Sequence, residues 1–215
     1  MHPLYNDFAE HLDAEDRDAA VRFALSRLDS GDLDILTLYN ELLTPSLYAD
    51  FCADADEDIC IWKEHVRTSI VRTIIESCYP YVIAERDAAG RKRDETVVVF
   101  CPPEEWHDLG ARMVADFFTL AGFRTTFVGA NTPRDDIVYA VRYLKPVYVA
   151  ISITNYYNLV AARHVLGNIC ELRGSLGFKV ILGGQACRGN AVTCRGMRPD
   201  FILETYGDIM KLGDA

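Results

Sequence analysis

His107 is the side chain best placed to do chemistry, because it follows a carboxylate, Glu105, by two residues in the loop Cys101-Pro-Pro-Glu-Glu-Trp-His-Asp-Leu-Gly110. A carboxylate that bonds one ring nitrogen fixes the imidazole tautomer and leaves the other lone pair aimed outward as a better metal donor. Gly110, three residues on, lets a bulky group approach the start of the helix that follows. The loop has neither the GxGxxG turn of a dinucleotide site nor the GxxxxGK[ST] loop of a triphosphate site. No second histidine and no cysteine pair falls at zinc-ligand spacing. A preassembled metal complex that needs a single protein ligand fits these residues better.

The elements that must position this loop change rhythm along the chain. Up to about Arg86 the apolar residues recur at helical spacing. Val21, Ala24, Leu25 and Leu28 predict one core-facing stripe; Ser30-Gly31-Asp32 breaks it, with Asp32 as the cap of the next helix. That helix carries Leu36, Tyr39 and Leu43, and Thr44-Pro45 is expected to stop it. The acidic run Asp54–Asp58 precedes a long helix on which Trp62, Val66, Ile70 and Ile74 share a face. These segments predict a helical bundle over residues 1–88. Asp87–Asp94 is polar and reads as a linker.

From Thr96 the pattern is short apolar, β-branched runs alternating with helical stretches. The runs are Thr96–Phe100, Thr125–Val128, Val147–Ser152, Lys179–Leu182 and Asp200–Leu203, several of them apolar throughout, as strands buried on both faces are. Helices are expected near 108–121, 134–144, 158–173 and 205–212, with the stretch after the fourth strand less defined. Over residues 95–215 this predicts an α/β fold, a flavodoxin-like (Rossmann-type) doubly wound parallel five-stranded sheet of order 2-1-3-4-5. The ligand crevice of such a sheet lies beyond the C-terminal ends of strands 1 and 3. The segments there are Cys101 to Gly110, Ser152 to Asn158 and, beside them, Gly183-Gly184-Gln185.

The bulk composition narrows the function. The chain has 215 residues, half of them apolar, with 22 basic and 32 acidic residues and a formal charge of −10. That balance disfavours direct nucleic-acid binding. The acidic N-terminus is no secretory signal, and no run of about 18 apolar residues is present to span a membrane. Seven scattered cysteines without a CxxC pair suit a reducing cytoplasm. Cys101 reads as a small buried residue and His164 as a surface group, and Tyr156 and Tyr157 are expected to pack the start of a helix, with contact to the edge of a ligand at the crevice mouth as the alternative.

Glu105-x-His107-x-x-Gly110 matches the D/E-x-H-x-x-G signature of the cobalamin-binding domain. Ser152-Ile-Thr154 stands where that family has S-x-L/T, and Gly183-Gly184 where it has its paired glycines. Three pieces in order, each after the right strand, make the resemblance specific, and the N-terminal bundle resembles the helical cap that precedes this domain. The resemblance implies a cobalamin held with its dimethylbenzimidazole base off cobalt and His107 as the lower axial ligand. Trp106, Asp108 and Leu109 would share that binding surface with Glu105 and Gly110. Ser152 and Thr154 would bond the displaced base, and the Gly183-Gly184 turn would leave room for the tail; read alone, the turn is a tight strand-to-helix connection.

Further features resemble the adenosylcobalamin-dependent photoreceptor regulators: Pro102-Pro103 before the motif, Glu rather than the G-D-x-H of methyl carriers, Gly129–Pro133 and Leu182–Gln185. Glu64-His65 matches the pair that those sensors direct at the upper face of the cofactor; it also fits a helix surface bonded to Arg67 or Arg72. Two departures stand out. The sensor tryptophan ten residues before the Glu is replaced by Asp54 and its neighbouring histidine by Ala55, whereas Trp62 lies two before the Glu and offers a shield from another angle. No basic helix-turn-helix precedes the cap, so the DNA-binding domain of those regulators is expected to be lacking. The expectation is a stand-alone, cytoplasmic cobalamin sensor, light-responsive through adenosylcobalamin and without catalytic activity of its own. Its output would pass through a separate effector or self-association. The alternatives are a corrinoid methyl carrier of a methyltransferase system, loaded as methylcobalamin, and a flavodoxin-like interaction module without cofactor.

Overall fold

The computed structural model describes residues 2–48 and 57–212, with side chains from residue 61 in the second stretch. Asp54, Ala55 and Cys52 lie outside the described residues. The chain divides into two compact units, Met1–Ala84 and Glu85–Ala215.

In the first unit, α1 (Tyr5–Asp13) and α2 (Arg17–Ser30) are joined by a tight turn in which the Asp16 carboxylate accepts the Ala19 N–H at 2.9 Å. α2 ends where Gly31 adopts φ 76°, a left-handed cap open to glycine at no steric cost. Its buried stripe is Ala20, Ala24 and Leu28, with Val21 and Leu25 only half-buried. The next helix is capped by Asp34, which accepts the Thr37 N–H at 2.7 Å, and not by Asp32, which instead pairs with Arg27 at 3.0 Å. The difference follows from position: Asp34 directly precedes the helical residues of α3 (Ile35–Thr37), where a cap oxygen can reach an unpaired N–H. Nor does Pro45 end the helix. A π-helical turn, Leu38–Leu43, runs on into α4 (Thr44–Tyr48), with Pro45 inside the continuous helical run. On α5 (Glu57–Ala88) the core face begins a turn later than the spacing suggested: Ile70 and Ile74 are buried, Val66 is half-buried and Trp62 is 45% exposed. Phe8, Leu38, Tyr39, Leu42 and Leu43 complete this core.

In the second unit, five parallel strands run in the order β2-β1-β3-β4-β5: β1 (Thr96–Phe100), β2 (Arg124–Gly129), β3 (Tyr148–Ser152), β4 (Lys179–Gly183) and β5 (Phe201–Ile202). This is the doubly wound order expected from the alternation of strands and helices. β1 and β3 are paired directly, with Val97 opposite Tyr148 and Phe100 opposite Ile151, so the winding reverses between them. Val98, Phe100, Val149, Ile151, Val180 and Leu182 pack on α7 (Arg134–Leu144) and α8 (Leu159–Leu176) in one buried cluster. On the other face α6 (Leu109–Leu120) covers β1 and β2, and the rings of Phe118, Phe123, Tyr148 and Phe201 form a chain of contacts. β5 is shorter than expected. The undefined stretch after β4 is two short helices, α9 (Gln185–Gly189) and α10 (Ala191–Gly196), before α11 (Tyr206–Met210).

The expected linker is tied down on the second unit. Arg91 donates to the Tyr206 hydroxyl at 2.9 Å, Arg93 to the Met210 carbonyl at 3.0 Å and to that of Leu212, and the Arg93 N–H to Gly122 at 2.8 Å. A polar, glycine-bearing segment reads as a linker by composition, but its arginines find carbonyls at the ends of α6 and α11. Among the described residues, no helix is long and apolar enough to cross a membrane.

Candidate functional site

The loop after β1 is built around one buried carboxylate. Glu105 is completely shielded from solvent at the carboxyl end of the sheet, where an isolated charge would be costly. Its Oε2 accepts the backbone N–H groups of Thr154 at 2.9 Å and Asn155 at 2.8 Å, from the loop after β3. Its Oε1 accepts the His107 N–H at 3.1 Å and meets the His107 Nδ1 at 2.7 Å. Burial pushes the Glu105 carboxyl up, but hydrogen bonds from the Asn155 N–H, the Asn158 side chain and His107 outweigh it and hold the group below its ordinary value.

An ionised Glu105 is acceptor-only, so Nδ1 donates to it, and in the neutral imidazole Nε2 then carries the lone pair. The His107 side chain is 57% exposed, and no described residue bonds its Nε2. The expected carboxylate–imidazole bond is therefore present, and it leaves one basic nitrogen facing outward.

Three asparagines from the expected crevice segments complete the frame, in roles that the sequence did not assign to them. Asn131, with φ 44°, accepts the Glu104 N–H on its side-chain oxygen at 2.8 Å, while its own N–H donates to the Glu105 carbonyl at 2.8 Å. Asn158 is buried and donates from Nδ2 to the Glu104 carbonyl at 3.3 Å. Asn155 supplies the N–H already named and turns the chain by accepting the Tyr157 N–H at 3.0 Å. Each lies just after β2 or β3, at the crevice, and Asn131 also falls in the Gly129–Pro133 segment that carries part of the resemblance.

The remaining expected residues fall as follows. Ser152 is buried at the end of β3, opposite Gly183, and no described residue bonds its hydroxyl. Thr154 is held by its N–H on Glu105 and by its hydroxyl on the His107 carbonyl at 3.4 Å. Asp108 precedes α6 without capping it, Leu109 is buried and Trp106 is 69% exposed. At Gly110 an added Cβ would meet nothing within 4 Å, so the helix start is open there. Gly184 is the reverse case: with φ 99°, an added Cβ would lie 2.3 Å from the Ile153 carbonyl oxygen. Its missing side chain serves the close approach of two loops, as in a tight connection. Tyr156 and Tyr157 are 58% and 80% exposed in the turn that leads into α8, at the crevice mouth.

Trp62, Glu64 and His65 lie on exposed positions of α5. Lys63 sits over the Trp62 ring at 5.8 Å. His65 lines a groove of about 460 Å³ with Glu15, Asp16, Asp18 and Ser69 of the same unit. Arg67 pairs with Asp13 and donates to the Ser46 carbonyl at 3.5 Å. Cys101 is buried as expected, and burial pushes its thiol up to about 12.

Among the described residues, no group of three or more His, Cys, Asp or Glu side chains could hold a bare metal ion. The crevice offers one imidazole nitrogen, a hydroxyl at the end of β3 and an open helix start. That donor set suits a metal complex that brings its own equatorial ligands and takes one axial ligand from the protein.

Comparison with known proteins bears on the same region. The B12 binding domain family model matches residues 95–208. The chain is 28% identical over 166 residues to the HTH-type transcriptional repressor CarH of Myxococcus xanthus, an alignment covering 74% of this chain and 50% of the relative. It thus spans about half the length of that relative. In structure it resembles the monomethylamine corrinoid protein of Methanosarcina barkeri, with a TM-score of 0.79 at 14% identity over 97% of this chain and 96% of that one. A cobalamin-binding protein from Desulfitobacterium hafniense DCB-2 gives a TM-score of 0.53 at 18% identity over 98% and 97% of the two chains. The two structural likenesses establish the fold alone. The family match covers more than half of the chain and includes every element of the crevice: the chain belongs to the B12 binding domain family and is a cobalamin-binding protein.

Proposed function

We propose that the chain is a cobalamin sensor that holds the cofactor base-off, with His107 as the lower axial ligand and Glu105 as its anchor. The observation that carries this reading is the 2.7 Å bond from Glu105 to the His107 Nδ1, which leaves Nε2 free at the crevice. Ser152 and Thr154 would receive the displaced base, and Trp106, Asp108, Leu109 and Gly110 would line the lower face. In this reading residues 1–88 are a cap and 95–215 the cofactor domain. Trp62, Glu64 and His65 belong to the cap's approach to the upper face.

The sensor role is supported by the 28% identity to the CarH repressor and by the Pro102-Pro103 and Glu105 variants of the motif. Adenosylcobalamin, the proposed form, supplies a light-labile cobalt–carbon bond. Residues 1–88 would contact a bulky group on the upper face unequally in two arrangements, so losing that group would shift the population between them. The output passes to a separate effector protein or through self-association. A second reading, a corrinoid methyl carrier, is favoured by Asp54 and Ala55 standing where the sensors carry Trp and His.

Protein loaded with adenosylcobalamin in the dark and then illuminated separates the two. A changed absorption spectrum together with a changed elution volume on size exclusion is the expected result. An unchanged spectrum and unchanged assembly would sink the sensor reading, and methyl transfer from a methyltransferase to the Co(I) form would favour the carrier.

A further inference from the structure

Cys187 and Cys194 lie in the stretch after β4 that cofactor binding uses only through Gly183 and Gly184. Their Sγ atoms are 2.7 Å apart, both are free thiols, and their side chains are 2% and 0% exposed. That separation is inside van der Waals contact and about 0.7 Å longer than a disulfide bond. The surrounding sequence repeats, Cys187-Arg188-Gly189 and Cys194-Arg195-Gly196.

The pair is packed into the buried cluster beside β4, on two short helices. α9 and α10 have five and six residues and are separated only by Asn190. Arg188, Gly189, Val192, Thr193, Arg195 and Gly196 are all exposed. Helices this short have no stability of their own, and such segments open at low free energy. While the segment is closed, burial raises the Cys187 thiol and withholds the reactive thiolate. Once it opens, each thiol reaches water beside an arginine that favours the thiolate.

We propose that Cys187 and Cys194 are a dithiol–disulfide pair that gates entry of the cofactor tail beside Gly183-Gly184. The gating rests on the cobalamin reading above; the thiol chemistry does not. The oxidant is a peroxide. One thiolate attacks the O–O bond of hydrogen peroxide, giving a sulfenic acid and, after proton transfer, water. The second thiol then displaces the sulfenic oxygen as a second water and closes the S–S bond. Two thiols and one hydrogen peroxide thus become one disulfide and two waters. The bond staples α9 to α10, and α9 starts where Gly184 is locked on Ile153. The tail then has to enter past a segment that no longer opens.

Trypsin cuts after Lys179, Arg188 and Arg195, so the two cysteines fall on separate peptides, Val180–Arg188 and Gly189–Arg195. Full-length apoprotein treated with hydrogen peroxide, alkylated and digested is expected to yield these two joined, two hydrogens lighter than their reduced sum. Prior loading with hydroxocobalamin should suppress the linked peptide. Uptake of hydroxocobalamin by the oxidised protein should be slower by about tenfold, recover with dithiothreitol and be indifferent to peroxide in Cys194→Ala. Recovery of both peptides alkylated, or as separate sulfinic acids, would overturn the pair; complete linkage with unchanged uptake would overturn the gating. Reduced protein that takes up no hydroxocobalamin would overturn the cobalamin reading and the gating with it, while the linked peptide would still decide the disulfide.

Discussion

Glu105 concentrates the physics of the site in one residue. It is buried and ionised, and it is bonded to two backbone amides from the loop after β3 as well as to His107. Its carboxyl is held below the ordinary glutamate range, so it stabilises the fold fully above that range. The stabilisation drains away as pH falls through the depressed folded value. In an NMR titration the amide shifts of Thr154 and Asn155 are expected to move with a midpoint below that of an ordinary glutamate, about 4.3. A midpoint at or above that value would show that the amide bonds do not outweigh burial. Glu105→Gln keeps the shape but removes the charge, and by the usual size of such outer contacts lowers cobalamin affinity by about 10- to 100-fold.

At the scale of elements, two glycines have opposite duties. Gly184 has positive φ and backbone against the position its Cβ would take, so Gly184→Ala is expected to cost about 2 kcal/mol or more in urea unfolding. Gly110 opens on empty space inside a helix, so Gly110→Ala should leave the apoprotein as stable or raise it by about 0.5–1 kcal/mol. Gly110→Leu should weaken hydroxocobalamin binding about tenfold at unchanged Tm; equal losses of stability at both glycines would contradict the assignment. The motif named both positions, but only the backbone shows that Gly184 serves a close approach to Ile153. Strands were legible from their β-branched runs and helices from their spacing. The cap of α3 was misplaced by two residues because Asp32 and Asp34 are both good cap residues, and only the chain direction chooses between them. The segments carrying the asparagines of the Glu105 frame were legible as crevice loops, but their bonds were not, because side-chain-to-backbone bonds between loops after different strands leave no spacing to count.

At the scale of the whole molecule, the alternation of strands and helices gave the sheet order, and the order gave the crevice. The loops after β1 and β3 meet at Glu105 because those strands are neighbours, although about fifty residues separate them in the chain. In the proposed function this junction presents the His107 Nε2 to cobalt. The most direct test is the electron paramagnetic resonance spectrum of the Co(II) form, with uniformly ¹⁵N-labelled protein and unlabelled cobalamin. The account predicts doublet superhyperfine splitting from one ¹⁵N axial ligand, lost in His107→Ala. A triplet, the signature of the cofactor's own unlabelled benzimidazole still on cobalt, would contradict it.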